Sequence, residues 1–476
     1  MTQARSMHYC PLNGTVGDTI PFYWNGEFHL FYMRRLPHRF TVHQTIEHIV
    51  STDLVHWREL PTAVRPGGRD EKDYHLCGTG SVIERDGTFY YFYYARNDRA
   101  DPHDSIALAT SSDLISWTKQ PGSVVLRDEK LYAAPDWRDP FVFWNEQEQC
   151  YWMLLTCLEK DGPGYLKGCV GLAVSDDLAS WRVRPPLWAP GTYVVPECPE
   201  MFELSGKWFV LANWIHPGGT FYCTADAPGG PWQRPYPNTL DSHDAYAFRT
   251  VSDGSRRVAF GWVTSHSDFL DSGSPTWGGH LTAPREFALS DAGGIDVRCA
   301  PEWLGQFSRE LPFEIASKWG NWDIAPARIA AASPTAAAYA ITGPICRDYL
   351  LECDLTVQAG TSAVGFLVQS EQDMSCFYRA RIDLSAGRIT TDRLPPCWPE
   401  TWLYEQSFRP DPKKPIKCVL SLADNILEIF LNDSAALTTR LYDYHDGSLG
   451  MFVENGQACF DNIKLATTTD ESAGGL

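Results

Sequence analysis

One segment of this 476-residue chain recurs at a nearly fixed interval, and that recurrence restricts the fold more than any other feature. Ser51-Thr52-Asp53-Leu54-Val55-His56-Trp57 returns as Ser111-Ser112-Asp113-Leu114-Ile115-Ser116-Trp117 and again as Ser175-Asp176-Asp177-Leu178-Ala179-Ser180-Trp181. The tryptophans stand 60 and then 64 residues apart (117−57 and 181−117). A degenerate fourth copy is Ala225-Asp226-Ala227-Pro228-Gly229-Gly230-Pro231-Trp232, and Leu289-Ser290-Asp291-Ala292-Gly293-Gly294 reads as a fifth. Before each copy runs an apolar, aromatic segment: Phe28 to Tyr32, Phe89 to Tyr94, Tyr151 to Leu155, Trp208 to Leu211 and Val258 to Trp262. Most follow a turn such as Trp24-Asn25-Gly26-Glu27 or Arg85-Asp86-Gly87-Thr88, and turn–strand alternation at this spacing is antiparallel β structure. A repeat of this length points to propeller blades or a similar array. Five four-stranded units predict an all-β, five-bladed β-propeller over residues 1–300, a closed form that protects its sheet edges.

Beyond residue 300 the repeat stops. Residues 301–338, rich in Trp, Pro and Ala, are expected to be a connector. Strand-like runs then reappear at Tyr349–Val357, Val364–Gln369, Phe377–Ile382, Lys417–Ser421, Ile426–Leu431, Gly450–Val453 and Ala458–Leu465. They predict a C-terminal β-sandwich over residues 339–476, of structural or sugar-binding role.

Three acids recur at similar places in the units. Asp18 precedes Phe28 by 10 residues, Asp139 precedes Tyr151 by 12, and Glu197 precedes Trp208 by 11. The segment before each aromatic strand would be a blade's innermost strand, so the acids of blades 1, 3 and 4 are expected at equivalent positions around one mouth of the channel. Two carboxyl groups beside a sugar can cleave a glycosidic bond, and a third can hold ring hydroxyls. In that reading Asp18 is the nucleophile. Glu197 is the acid/base, kept protonated by neighbouring acids, and Asp139 holds the ring while Arg138 keeps it ionised. Trp24, Thr79, Arg138, Tyr193, His243, Asp244 and Trp277 are candidate substrate-binding residues, with Tyr23 and Trp137 beside them; for the aromatics, propeller packing is the competing reading. The run Arg34-Arg35-Leu36-Pro37-His38-Arg39 is either a solvated loop or a grip for an anionic group on the substrate.

A net charge of −19 argues against nucleic-acid binding through a broad basic surface. No apolar run reaches the roughly 18 residues of a membrane span, and the first ten residues lack the apolar core of a secretory signal, so a cytoplasmic location is expected. The 14 cysteines form no CxxC pair and no zinc-spaced cluster, and they read as reduced, mostly buried residues. Cys198 is set apart by its place beside Glu197. No metal or cofactor is called for, and the expected partner is a small carbohydrate.

In these motifs the chain resembles glycoside hydrolase family 32, the invertase, levanase and inulinase family, over almost its full length. The family's nucleophile motif Trp-Met-Asn-Asp-Pro-Asn-Gly corresponds to Thr15-Val16-Gly17-Asp18-Thr19-Ile20-Pro21. Gly26 to Tyr32, Val50 to Trp57, Arg138-Asp139-Pro140, Glu197-Cys198-Pro199, Trp277-Gly278-Gly279 and Pro284-Arg285-Glu286 match further family segments in order. The resemblance implies a propeller that carries the active site and a C-terminal sandwich. It further implies retaining hydrolysis of β-fructofuranosides or a related furanoside; fructosyl transfer and a non-catalytic sugar-binding relative are the alternatives. The departures surround the sugar. Gly17 and Ile20 stand near the family's asparagines, Met33 replaces a Gln, Ile46 replaces a Trp, and Gly78-Thr79-Gly80-Ser81 replaces Phe-Ser-Gly-Ser.

Overall fold

A computed structural model describes residues 6–35, 44–215, 219–396 and 404–469. Five antiparallel blades follow one another to residue 299, the first and last joined in one nine-stranded sheet. Blade 1 is Thr15–Trp24, Glu27–Arg35, Thr45–Ser51 and Arg58–Val64. Blade 2 opens with Leu76–Arg85, blade 3 with Tyr132–Asn145, blade 4 with Pro196–Leu204 and blade 5 with Ala245–Ser252. In every blade the opening strand pairs with the aromatic strand that follows it. The ring closes where Pro275–Leu281 of blade 5 meets blade 1, with Gly279 opposite Val16.

The recurring Ser-x-Asp-Leu-x-x-Trp segment is the turn between the third and fourth strands of blades 1, 2 and 3. In each copy the serine hydroxyl donates to the aspartate (Ser111 to Asp113, 2.9 Å), and the aspartate accepts backbone N–H groups two and three residues on. The leucine turns the chain through a left-handed conformation (φ 66°, 62° and 66° at Leu54, Leu114 and Leu178) and buries its side chain. Aspartate suits this position because its short carboxylate closes a local ring that substitutes for backbone pairing. The repeat is therefore a turn code, placed at the blades' outer edges.

The sandwich begins earlier than the composition suggests. Residues 301–338 are largely not a connector: after the short helix Pro301–Leu304 come strands Arg309–Leu311, Ile315–Trp319, Asn321–Ala325 and Arg328–Ile345. The last of these pairs along Gly447–Thr467, a 21-residue strand that also pairs with Ala363–Ser370 and Tyr349–Val357. Ile329, Ala331 and Ser333 point inward while Ala332 and Pro334 face out. With alanine on both faces, that alternation is invisible to hydropathy. Strands Arg388–Leu394 and Ala435–Arg440 are also absent from the sequence expectation.

Propeller and sandwich share one core, in which Phe248, Phe287 and Trp303 pack with Leu350, Val419 and Phe430. A buried polar cluster crosses it. Arg285 pairs with Asp241 and with Glu428 (3.0 Å), and His8 reaches Glu428 (3.1 Å) and Asp424 (3.3 Å). Burial pulls the His8 pKa down, but Asp424 and Glu428 outweigh it and lift the group to about 9. A raised folded-state pKa gives stability that is complete below the unfolded value near 6.5 and is lost as pH rises through about 9. His8→Gln is therefore expected to cost about 3 kcal/mol of unfolding free energy at pH 6. Urea titrations at pH 6, 8 and 10 should show that difference shrinking with pH.

Candidate active site

Each inner strand carries a bulge, near its start in blades 1, 2, 4 and 5 and midway along Tyr132–Asn145 in blade 3. Between Val16 and Thr19, Cys77 and Gly80, Arg138 and Phe141, Glu197 and Glu200, and Tyr246 and Arg249, two residues oppose a single residue of the neighbouring strand. A bulge of this kind bends the strand and re-aims its side chains. Asp139, Cys198 and Ala247 occupy its first position with φ near 50° (55°, 50° and 53°). Asp18 and Thr79 occupy the second position, and Glu197 and Arg138 are the last paired residues before it. The three acids thus belong to the same bulge in different blades, but at three consecutive positions and not at equivalent ones.

A closed ring of contacts joins them. Arg138 places Nη1 2.9 Å from Asp139 Oδ2, Nη2 2.8 Å from Glu197 Oε1 and Nε 2.9 Å from Asp136 Oδ1. The hydroxyl of Tyr246 donates to Glu197 Oε2 at 2.7 Å. Its ring packs on Trp262 (centroids 5.3 Å), whose Nε1 donates to Asp18 Oδ1 at 3.2 Å. Cys198 completes the circuit, its thiol 3.6 Å from Asp18 Oδ2 and its backbone N–H donating to Asp139 Oδ2 at 3.2 Å. Thr156 donates to the same Asp139 oxygen at 2.8 Å.

Electrostatics separate the groups. Burial, then the charges of Asp139 and Glu197, raise Asp18 to about 7, against the opposing pull of the Trp262 hydrogen bond and of Arg249. Asp18 keeps some accessible surface while protein surrounds most of it. Burial lowers the Arg138 pKa, but its three carboxylate partners outweigh that and push it well up. Burial and the acids hold Cys198 as a neutral thiol, able to donate. A guanidinium and a phenol grip the two oxygens of Glu197.

Of the other candidates, Arg138 and Trp277 lie at the acids. Trp277 packs against Trp262 (centroids 5.6 Å) and over Gly17. Thr79 lies in the blade 2 bulge, its hydroxyl buried without a hydrogen-bond partner. The rest are placed elsewhere. Trp24 stacks near Phe22 and Phe89 at the far end of its strand, six residues and so about 20 Å from Asp18. Tyr23 packs on Phe28. Trp137 is buried and donates to the Val125 carbonyl. Tyr193 is buried among Trp188, Trp214 and Phe221. Asp244 is buried at the domain interface, bound to His266, Thr264 and the Arg440 N–H, and His243 faces the sandwich's Tyr404. Arg34 pairs with Glu47 (3.5 Å) and Arg35 donates to the Trp277 carbonyl (2.7 Å), so neither is given over to a substrate anion; Arg39 lies outside the described residues.

Sequence reasoning missed Tyr246, Trp262, Thr156 and Arg249. For Tyr246 a signal existed: it precedes Val258 by 12 residues (258−246), the spacing of Asp139 to Tyr151. Arg249 is buried one step below the bulge with its guanidinium over the Phe141 ring at 5.5 Å, and nothing in its sequence neighbourhood marks it.

The described residues thus form a five-bladed propeller with carboxyl groups at its bulges, followed by a β-sandwich. The family model described as "Glycosyl hydrolases family 32 N-terminal domain" matches residues 8–300, and the chain belongs to that family. It is 28% identical to a sucrose-6-phosphate hydrolase of Escherichia coli over 60% of this chain and 62% of that protein. It is 27% identical to an Escherichia coli raffinose invertase over 59% and 61%. Against a levanase of Bacillus subtilis (strain 168) it is 25% identical over 91% of this chain and 65% of that protein. The chain thus spans about three fifths of the length of these curated relatives. Among solved structures, fructan 1-exohydrolase IIa from Cichorium intybus in complex with 1-kestose has the same fold, with a TM-score of 0.76 at 18% identity, covering 98% of this chain and 97% of that one. Sucrose-6-phosphate hydrolase from Lactobacillus gasseri gives 0.75 at 18%, covering 98% and 93%.

The raised Asp18 pKa has a consequence for stability. An acid whose folded-state pKa exceeds its unfolded value of 3.8 stabilises the fold when protonated, and that contribution is lost as pH rises through about 7. Asp18→Asn is expected to be more stable than wild type at pH 8, by on the order of a few kcal/mol. The gap should close as pH falls toward 4. Thermal melts of both proteins at pH 4.5, 6 and 8 measure it.

Proposed function

We propose that this chain is a retaining glycoside hydrolase acting on β-fructofuranosides, with Asp18 as nucleophile, Glu197 as acid/base and Asp139 as the group that holds the ring hydroxyls. The observation that carries the proposal is the closed ring of contacts, which holds three carboxyl groups in one pocket with different partners for each. Asp18 receives a single weak donor on each oxygen, from Trp262 and Cys198, and so keeps lone pairs available for attack. Asp139 receives three donors on Oδ2 alone, leaving Oδ1 to accept from sugar hydroxyls. Glu197 accepts from Arg138 on Oε1 and from Tyr246 on Oε2.

In the first step an Asp18 oxygen forms a bond to the anomeric carbon as the glycosidic bond breaks, and the leaving oxygen takes the proton of Glu197. In the second, Glu197 takes a proton from water, the water oxygen bonds to the anomeric carbon, and the Asp18 ester bond breaks. Names among the relatives point to sucrose, raffinose and levan as first substrates to assay, with products identified so that hydrolysis is separated from transfer.

Glu197→Gln is expected to lower kcat on sucrose by about 10³-fold while leaving the fold intact. Normal turnover by that variant would sink the assignment. Because the nucleophile must be ionised, kcat/KM of the wild type should fall tenfold per pH unit below about 7. A plateau extending to pH 5 would place the ionisation of Asp18 well below 7.

A further inference from the structure

A buried line of hydrogen bonds crosses from blade 5 to blade 3 behind the acids, with all its donors pointing the same way. The Phe248 N–H donates to Thr220 Oγ1 at 3.2 Å. The Thr220 hydroxyl donates to Asn213 Oδ1 at 2.6 Å, and Asn213 Nδ2 donates to the Glu197 carbonyl at 3.3 Å. That carbonyl and the Cys198 N–H belong to one peptide group. The N–H donates to Thr156 Oγ1 at 3.1 Å, and the Thr156 hydroxyl donates to Asp139 Oδ2 at 2.8 Å. The Pro196 carbonyl is the more distant acceptor for that hydroxyl, at 3.3 Å. A backbone N–H only donates, and a carbonyl or carboxylate oxygen only accepts. The two ends of the line and the peptide at its centre therefore fix how the Asn213 amide and both hydroxyls point. Thr156, Asn213 and Thr220 are fully buried.

Register explains where these groups sit. Thr156 stands opposite Arg138 and Asn213 opposite Glu197, the last pairs before the bulges of blades 3 and 4, and Thr220 stands opposite Asn213. The peptide between Glu197 and Cys198 enters the blade 4 bulge, where ladder pairing is interrupted and Cys198 turns to φ 50°. Asn213 holds that peptide by its carbonyl and Thr156 holds it by its N–H, so it cannot rotate without breaking a buried bond. A buried polar group left without a partner costs about 1–3 kcal/mol. Hydrogen bonds in series polarise one another in a low-dielectric interior, and this series ends on a carboxylate. Blade 5 thus grips Glu197 twice: Tyr246 bonds to its side chain, and Phe248 reaches its backbone through Thr220 and Asn213. We infer that Thr156, Asn213 and Thr220 are positioning residues, which set the acid/base Glu197 against its leaving oxygen and tie its placement to that of Asp139. The inference rests on the function proposed above.

The test compares two substrates that need the acid unequally. Sucrose loses a poor leaving group that must be protonated, whereas p-nitrophenyl β-D-fructofuranoside loses a phenolate that leaves with little help. The ratio of their kcat/KM values does not depend on how much of a variant is folded. Asn213→Leu should lower kcat/KM on sucrose by about 30-fold and on the aryl fructoside by less than about threefold, with the calorimetric Kd of D-fructose held within about twofold. Thr156→Val should show the same contrast between substrates and also raise the fructose Kd about tenfold, because Asp139 loses a donor as well. Thr156→Ser, which keeps the hydroxyl, should recover most of both losses. Thr220→Val, furthest along the line from Asp139, should give the same contrast at about fivefold. Equal losses on the two substrates, or a lowered melting temperature with unchanged kinetics, would reduce the three residues to packing groups and overturn the inference while leaving the hydrolase reading intact. A wild type that cleaves neither substrate would remove the functional reading and this inference together.

Discussion

Three carboxyl groups in one pocket repel one another, and the site depends on how that repulsion is contained. Like charges held close together at an effective dielectric constant near 20 cost on the order of a few kcal/mol per pair. Arg138 contains most of it by bonding to Asp139, Glu197 and Asp136 at once. A lysine could not reproduce this arrangement, since it lacks the planar fork that reaches three acids from one centre. Asp18 has neutral donors and no directly bonded cation; burial first, and then the charges of Asp139 and Glu197, raise its pKa. One guanidinium thus gives the three acids unlike surroundings.

The propeller makes that pocket possible through a defect repeated five times. An ideal strand would point successive side chains to opposite faces. The bulge in each inner strand breaks the alternation where the strands approach the channel mouth, and three of the five bulges hold a non-glycine residue at positive φ. Such conformations cost energy, which the surrounding sheet pairing offsets. The sandwich contributes from behind. Its Glu428, Asp424 and Thr438 fasten His8, Arg285 and Asp241, and Arg440 fastens Asp244, which immediately precedes the inner strand carrying Tyr246. The C-terminal domain therefore supports the strand that supplies a partner to Glu197.

Some of this was legible in the chain, and some was not. The Ser-x-Asp-Leu-x-x-Trp turns are local devices, complete within seven residues, so their recurrence alone revealed the blades. The all-β class and the sandwich followed from strand alternation. The stretch 301–338 was misread because alanine occupies both faces of its longest strand. Asp244 and Tyr193 were misread because a polar or aromatic residue near a channel looks the same whether it faces substrate or a neighbouring domain. Tyr246 and Trp262 were overlooked because their importance lies in one hydrogen bond each, made to residues 49 and 244 positions away.

The sequence by itself determined the number of blades, the order of propeller and sandwich and the family resemblance, because each is encoded in short runs of residues with their own local physics. Only the tertiary structure decided which acid is raised in pKa, which side chains complete the ring around the three acids, and why residue 17 must be glycine. Those answers depend on the angle at which distant strands meet. A bulge shifts that angle by a residue's width, and a ring from blade 5 then fills the space beside Asp18.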